Sequence, residues 1–347
     1  MKILIPGGSG QVGTILARAF HASGDDVVVL SRAPAVRPWR VALWDGASSG
    51  AWEEEIDGCD AVINLAGRSV NCRYNPANRR DILESRVRST RIVGEAIARA
   101  AHPPRVWLQA STATIYRHRY EAANDERSGI LGGGEAGAPS SWQFSIDVAC
   151  AWEQTFAEAV TGRTRKVALR SAMTLSPDRG GVFDTLLGLV RRGLGGRAGD
   201  GRQFMSWIHD EDFTAAVQWL IDREAIAGIV NVASPNPLPN AEFMRLLREA
   251  AGVPFGLPAR EWMLEIGAIF MGTRDRARAE EPSGRSRPSA RGRLQVPVCR
   301  LAGCRAGPAT PVDGPALAQE RQPHRFWLLP PMVVSGRISA ARLGICG

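Results

Sequence analysis

The chain opens with Lys2-Ile3-Leu4-Ile5-Pro6 and runs directly into Gly7-Gly8-Ser9-Gly10-Gln11-Val12-Gly13, and this glycine cluster constrains the fold more than any other feature. It satisfies both Gly8-x-Gly10-x-x-Gly13 and Gly7-x-x-Gly10-x-x-Gly13. Glycines at this spacing allow a tight turn, close approach of backbone to a pyrophosphate, and packing of a helix against the preceding strand. The helix N-terminus then stabilises the anion. A helical pattern does follow, because Val12, Ile15, Leu16, Ala19 and Phe20 form one apolar stripe. Gly24 closes that helix, and residues 27–30 supply a second apolar strand. Strand, glycine turn, helix and strand make a parallel βαβ unit. Gly7, Ser9, Gly10, Gln11, Val12 and Gly13 are therefore expected to contact a dinucleotide.

The second strand ends in Leu30-Ser31-Arg32, where a site built for NAD would place an Asp or Glu on the ribose 2′-hydroxyl. A hydroxyl and a guanidinium can instead hold a 2′-phosphate, so NADP is the expected cofactor and NAD the alternative. Arg32 as an ordinary solvated side chain remains open.

The alternation continues with strands at residues 61–65, 105–110 and 166–169 and helices at 81–101 and 144–159. This pattern predicts the α/β class: a Rossmann-type doubly wound parallel sheet with a smaller C-terminal substrate lobe. Residues 1–170 would form the dinucleotide-binding core, and 171–273 the lobe, with the late sheet strands interleaved and a helix at 240–251. The stretch 191–202 is rich in Gly and Arg. Its Arg197 and Arg202 could offer guanidinium groups to a phosphate or carboxylate, or simply line a solvated loop.

The net charge of +8 would suit a polyanion-binding protein if it were spread over the surface. Residues 274–347, however, hold 13 arginines against 5 acidic residues, which leaves 30 of each sign in the rest of the chain. The body is neutral, so a small-molecule substrate is expected and a nucleic-acid or membrane partner is not. Runs of eighteen apolar residues are absent, as is a signal-peptide core, and these point to a cytoplasmic protein. The six cysteines and five histidines are scattered without metal-ligand spacing, and no metal site is expected.

Several segments carry a resemblance. Asp60-Ala61-Val62-Ile63-Asn64-Leu65-Ala66-Gly67 is similar to a strand whose end lies beside the cofactor in the extended short-chain dehydrogenase/reductases. Arg86-Val87-Arg88-Ser89-Thr90 resembles the start of the helix that follows. Ser206-Trp207-Ile208-His209-Asp210-Glu211-Asp212 is similar to the segment before a substrate-lobe helix, and Asn231-Val232-Ala233-Ser234-Pro235 to a late strand. Trp44-Asp45-Gly46 is similar to a segment of an epimerase-like NAD(P)-dependent oxidoreductase branch.

This resemblance covers about residues 1–273. It implies that Leu65, Ala66, Gly67 and Ser111 border the cofactor and that Asp45 lies near the adenine. Ser111-Thr112-Ala113-Thr114-Ile115-Tyr116 resembles the superfamily's catalytic Ser/Thr segment, which puts Thr112 in the role of substrate-oxygen ligand. The superfamily's proton donor is a Tyr followed four residues later by a Lys. The aligned positions here are Phe144 and Val148, and neither can transfer a proton. Phe144, Val148, Trp152 and Phe156 recur every four residues and read as a packed helix face. Asp147 and Glu153 on the same helix could act as acids, but they read rather as solvated charges. Tyr116 and His209 are the remaining proton-transfer candidates, and Arg170 would hold a substrate anion or sit in an ion pair.

These observations lead to an NADP-dependent oxidoreductase or epimerase-like enzyme acting on a small carbonyl or hydroxyl compound. The alternatives are a non-catalytic NADP-binding sensor and a nucleic-acid binder using its basic tail. Residues 274–347 lose amphipathic periodicity and take 17 of their 74 residues from Pro and Gly, so little packed structure is expected there. Relatives continue through a stretch similar to Leu-Lys-Ser-Arg-Arg-Val-Val-Pro. One codon spelling of residues 279–287, shifted by a base, encodes that stretch, so the tail reads as a frameshifted C-terminus.

Overall fold

The fold is taken from a computed structural model that describes residues 1–117, 124–133 and 140–258. The expected tail at 274–347 and the last part of the expected lobe, 259–273, lie outside the described residues.

Seven parallel strands form the main sheet: β1 (Lys2–Pro6), β2 (Asp26–Ser31), β3 (Arg40–Leu43), β4 (Ala61–Asn64), β5 (Val106–Thr112), β6 (Arg165–Ser171) and β10 (Gly228–Val232). Their spatial order is β10-β6-β5-β4-β1-β2-β3. The chain winds outward from β1 through β2 to β3, then returns to β4 on the other side of β1. This reversal opens a crevice beyond the carboxyl ends of β1 and β4, where doubly wound sheets bind ligands. The fold is the expected Rossmann-type α/β architecture.

Side chains alternate across each strand, and both faces of the sheet are covered. Ile3, Ile5, Val27, Val29, Ile63 and Leu108 pack with helices α1 (Gln11–Ala22) and α5 (Asp210–Asp222). Leu4, Val28, Val62 and Trp107 pack on the opposite side with α2 (Pro76–Arg99) and α3 (Ser140–Glu158). Burial on both sides is why these strands read as apolar runs rather than as apolar–polar alternation. Each such buried aliphatic side chain contributes about 1.5–3 kcal/mol of transfer free energy.

The helix after Ser206–Asp212 departs from expectation. Phe213, Ala216, Val217, Leu220 and Ile221 of α5 join the core under β1 and α1, so α5 is a layer of the main sheet and not a lobe helix. Helix α2 starts earlier than expected, at Pro76, because the Asn75 side chain caps it by accepting from Asn78 N and the proline suits a first helical position.

A second, smaller core joins α4 (Val182–Arg191) and α6 (Asn240–Ala250) through Phe183, Leu187, Val190, Phe243, Met244 and Leu247. The short strands β7 (Met173–Leu175) and β9 (Trp207–His209) pair in parallel beside it. β8 (Phe204–Met205) and β11 (Leu238–Pro239) pair antiparallel.

Candidate functional site

The crevice is framed first by the turn after β1. Gly7 has φ +76, and a Cβ there would stand 2.6 Å from Ala66 Cα, so only glycine lets this turn meet the end of β4. A Cβ on Gly13 would stand 2.3 Å from Gly8 Cα, which explains how α1 packs so closely on the turn. Gly10 differs: a Cβ there would meet only Gly7 O, at 3.8 Å. No side chain caps α1 and no acidic residue occupies its first turn. Its leading N–H groups and the positive end of its dipole are thus open to an anion. Ser9 is exposed, whereas Gln11 and Val12 are half-buried.

Across the crevice, Leu65 N donates to Pro6 O at 2.8 Å and Ala66 N to Asn64 Oδ1 at 3.1 Å. Asn64 is itself fixed by its Nδ2 donating to Gln109 Oε1 at 2.9 Å, all within the core. This Asn64–Gln109 pair shapes the rim, and the sequence reading assigned it no role. Gly67 is exposed at the lip.

Toward β2, the Ser31 side chain is buried and its Oγ accepts from Ala33 N at 3.3 Å, while Arg32 projects into solvent. Asp45 is exposed in the loop after β3. Its Oδ1 accepts from Ala47 N and Ser48 N, both at 2.8 Å, and these bonds hold its pKa below the usual carboxylate value. From the far side, the loop before α4 reaches over. The Gln11 carboxamide lies against Gly181, and Arg18 pairs bidentately with Asp178 at 2.8 and 3.3 Å.

At the end of β5, Thr112 Oγ1 donates to Thr114 Oγ1 at 3.0 Å and accepts from Thr114 N at 3.2 Å. Ser111 turns the other way, its hydroxyl donating to Glu153 Oε1. Glu153 receives Arg170 through two bonds of 2.8 and 2.7 Å, with only 13% and 6% of the two side chains exposed. Glu153 is therefore not the solvated charge its helix position suggested. Burial alone would lower the Arg170 pKa, but the Glu153 hydrogen bonds and charge hold it above the ordinary guanidinium value.

Arg170 stacks 4.7 Å from the Tyr116 ring centroid, and Tyr116 OH donates to Asn231 Oδ1 at 2.7 Å. Tyr116 is 1% exposed, and burial raises its pKa despite the opposing Arg170 and Asn231. Ser111, Glu153, Arg170, Tyr116 and Asn231 thus form one polar chain through the core beneath the crevice. His209 caps α5, its Nδ1 accepting from Glu211 N at 3.2 Å.

Phe144 packs edge-on to Tyr74 with centroids 5.6 Å apart, under the Arg79 guanidinium at 4.9 Å. Val148 is buried in the same cluster. This face of α3 is the packed seam its four-residue repeat predicted. Among the described residues no group of three His, Cys, Asp or Glu could hold a metal, and no helix is long and apolar enough to cross a membrane.

Comparisons with known proteins agree with this geometry. The model of the NAD dependent epimerase/dehydratase family matches residues 3–233. Epimerase family protein SDR39U1 of Bos taurus is 34% identical over 262 residues, 74% of this chain and 83% of that protein. Epimerase family protein YfhF of Bacillus subtilis is 30% identical over 266 residues, 76% and 84% of the two chains. The crystal structure of human epimerase family protein SDR39U1 (isoform 2) with NADPH superposes with a TM-score of 0.68 at 29% identity, covering 81% of this chain and 88% of that one. The glycine turn, the switch-point crevice and these matches together assign the chain to the NAD dependent epimerase/dehydratase family.

Proposed function

We propose that this protein binds NADP in the crevice between β1 and β4 and acts as an oxidoreductase or epimerase-like enzyme on a small carbonyl or hydroxyl compound. The observation that carries the reading is the glycine cradle. Gly7 and Gly13 close the turn sterically, while the one open glycine, Gly10, faces the uncapped N-terminus of α1. That cradle fits a pyrophosphate. The NADPH in the human SDR39U1 structure supports the same cofactor here.

In this reading Gly7, Ser9, Gly10, Gln11, Val12 and Gly13 hold the pyrophosphate. Arg32, exposed beside Ser31, takes the 2′-phosphate, and Asp45 lies toward the adenine. Leu65, Ala66 and Gly67 border the nicotinamide half, with Ser111 below it as part of the Glu153 network. When bound, the nicotinamide supplies the hydride chemistry. Thr112 holds the substrate oxygen by turning its hydroxyl proton from Thr114 Oγ1 toward it. Within residues 171–258, the α4–α6 core and the short strands beside it form the lobe that covers the substrate, while α5 and β10 belong to the main sheet.

A second reading has a specific observation in its favour. Phe144 and Val148 leave no proton-transfer group on the helix face where the superfamily carries its Tyr and Lys. A non-catalytic NADP sensor needs none.

One pair of titrations tests the cofactor assignment. NADPH should bind at least about tenfold more tightly than NADH, since a charge-assisted contact to a guanidinium is worth about 1.5–3 kcal/mol. Arg32→Ala should abolish that gap by weakening NADPH alone. Equal affinities for the native protein would remove Arg32 from the site. To separate enzyme from sensor, Thr112→Ala should lower turnover with NADPH affinity intact. A protein that binds NADPH and never oxidises it across carbonyl substrates is the sensor.

A further inference from the structure

Helix α2 carries several arginines, and their partners differ by face. Arg88 pairs with Glu84 at 3.1 Å, and Arg99 with Glu53 at 2.9 Å. Arg79 and Arg86, two turns apart and facing α3, have no carboxylate within ion-pair distance among the described residues. Each lies instead on aromatic rings: Arg79 on Phe144 and Tyr74, and Arg86 on Trp152 with its Cζ 5.0 Å from the ring centroid.

Arg86 is the one next to the crevice. A Cβ on Gly67 would meet its Cγ at 3.1 Å and its Cζ at 3.2 Å, so the guanidinium lies along the bare backbone at the lip of β4. One turn further along α2, Ser89 Oγ donates to Ala66 O at 3.3 Å and ties the helix to the same rim. Nη1 spends both protons on carbonyls, those of Arg68 at 3.0 Å and Ile82 at 2.9 Å. These bonds fix the plane of the group and leave Nη2 and Nε without an acceptor among the described residues. Burial pulls the Arg86 pKa below the ordinary guanidinium value, opposed only by the Tyr74 phenol. A half-buried cation held rigid, with its fork unsatisfied at a ligand crevice, is complementary to an oxyanion.

We infer that Arg86 binds an anionic group, a carboxylate or a phosphate, on the small-molecule substrate, so that the substrate class is an acidic carbonyl or hydroxyl compound. This rests on the cofactor reading above, which assigns the pyrophosphate to the α1 N-terminus and leaves Arg86, at the β4–α2–α3 junction, for a second anion. The positive charge that the superfamily mounts on the α3 helix is absent at Val148. Arg86 supplies one from α2, and its stacking on Trp152 sets it one turn from that position.

The test uses the full-length protein saturated with NADPH, which fills the pyrophosphate site. Inorganic phosphate and malonate are titrated separately at constant ionic strength. Binding is read from the Trp152 indole N–H resonance, assigned with Trp152→Phe. Native protein should show a saturable shift with at least one probe. Arg86→Met should weaken that probe at least about tenfold while NADPH affinity stays within about twofold. Arg86→Lys, which keeps the charge and loses the fork, should fall between the two and serves as the test if the Met variant does not fold.

If neither probe shifts the resonance in the NADPH-loaded native protein, the inference is overturned although the cofactor reading stands. If Arg86→Met weakens NADPH tenfold or more and leaves the probes unaffected, the anion is the cofactor's own and the substrate assignment is likewise overturned. If the native protein does not bind NADPH, the cofactor reading fails first. The same titration on unloaded protein then decides whether Arg86 binds an oxyanion at all.

Discussion

Glu153 and Arg170 show how much one residue's environment can differ from its sequence context. On a helix wheel Glu153 is an ordinary charge, but in the fold it accepts from both Arg170 and Ser111 inside the core. Removing one member of a buried ion pair strands the other. Glu153→Ala should therefore cost about 3–5 kcal/mol in urea unfolding, and Glu153→Gln less, since it keeps the shape and one acceptor. A loss under about 1 kcal/mol for the alanine variant would mean water reaches Arg170 freely. Tyr116 adds a pH dependence of known sign. Its folded pKa is raised, so the unfolded chain ionises first. The stability this group contributes is complete below the unfolded phenol pKa and declines as pH rises through the alkaline range. Tyr116→Phe should flatten that decline in alkaline melts.

At the scale of elements, the turn after β1 and helix α1 separate folding from binding within one motif. Gly13→Ala drives a methyl into Gly8 at 2.3 Å and forces α1 off the turn, a typical overpacking loss of about 1–3 kcal/mol together with lost cofactor affinity. Gly10→Ala meets nothing closer than 3.8 Å and has an extended backbone that alanine tolerates. It should unfold within about 1 kcal/mol of native, yet bind NADPH at least about tenfold more weakly, because its methyl enters the space in front of the helix N-terminus. Calorimetric titration beside thermal melts would resolve the two behaviours. A Gly10→Ala protein with native affinity would move the phosphate elsewhere. Helix α5 has the opposite character: Phe213 is buried under β1 and α1, so α5 is a structural cover for the sheet that the lobe is built beside.

For the molecule as a whole, two cores share one crevice. The main sheet supplies its floor, and the α4–α6 core carries the loop that touches Gln11 and binds Arg18 through Asp178. A ligand held between them stabilises the native state by mass action. NADPH at one hundred times its Kd should add about 2.7 kcal/mol to unfolding free energy. NADH at the same concentration should add about 1.4 kcal/mol less if its affinity is tenfold lower. Identical thermal shifts from the two cofactors would argue against the Arg32 contact independently of direct titration.

The sequence alone was sufficient for the sheet and its glycine turn, because their signals are local. A strand buried on both faces must be an apolar run, an amphipathic helix must repeat its stripe, and a turn with φ +76 pressed against Ala66 must carry glycine. It also showed that Phe144 and Val148 depart from the superfamily's Tyr and Lys, since that comparison needs only spacing. What it could not show depended on residues distant in the chain meeting in space. Asn64 finds Gln109 across 45 residues, Tyr116 finds Asn231 across 115, and α5 packs under β1 although β9, immediately before it, pairs with β7 beside the smaller core. Arg86 stood inside a recognised motif without an evident role. Only the tertiary structure set it beside Gly67, on Trp152 and, among the described residues, away from any carboxylate, because the neighbours of a charge are decided by packing between elements and not by the sequence around it.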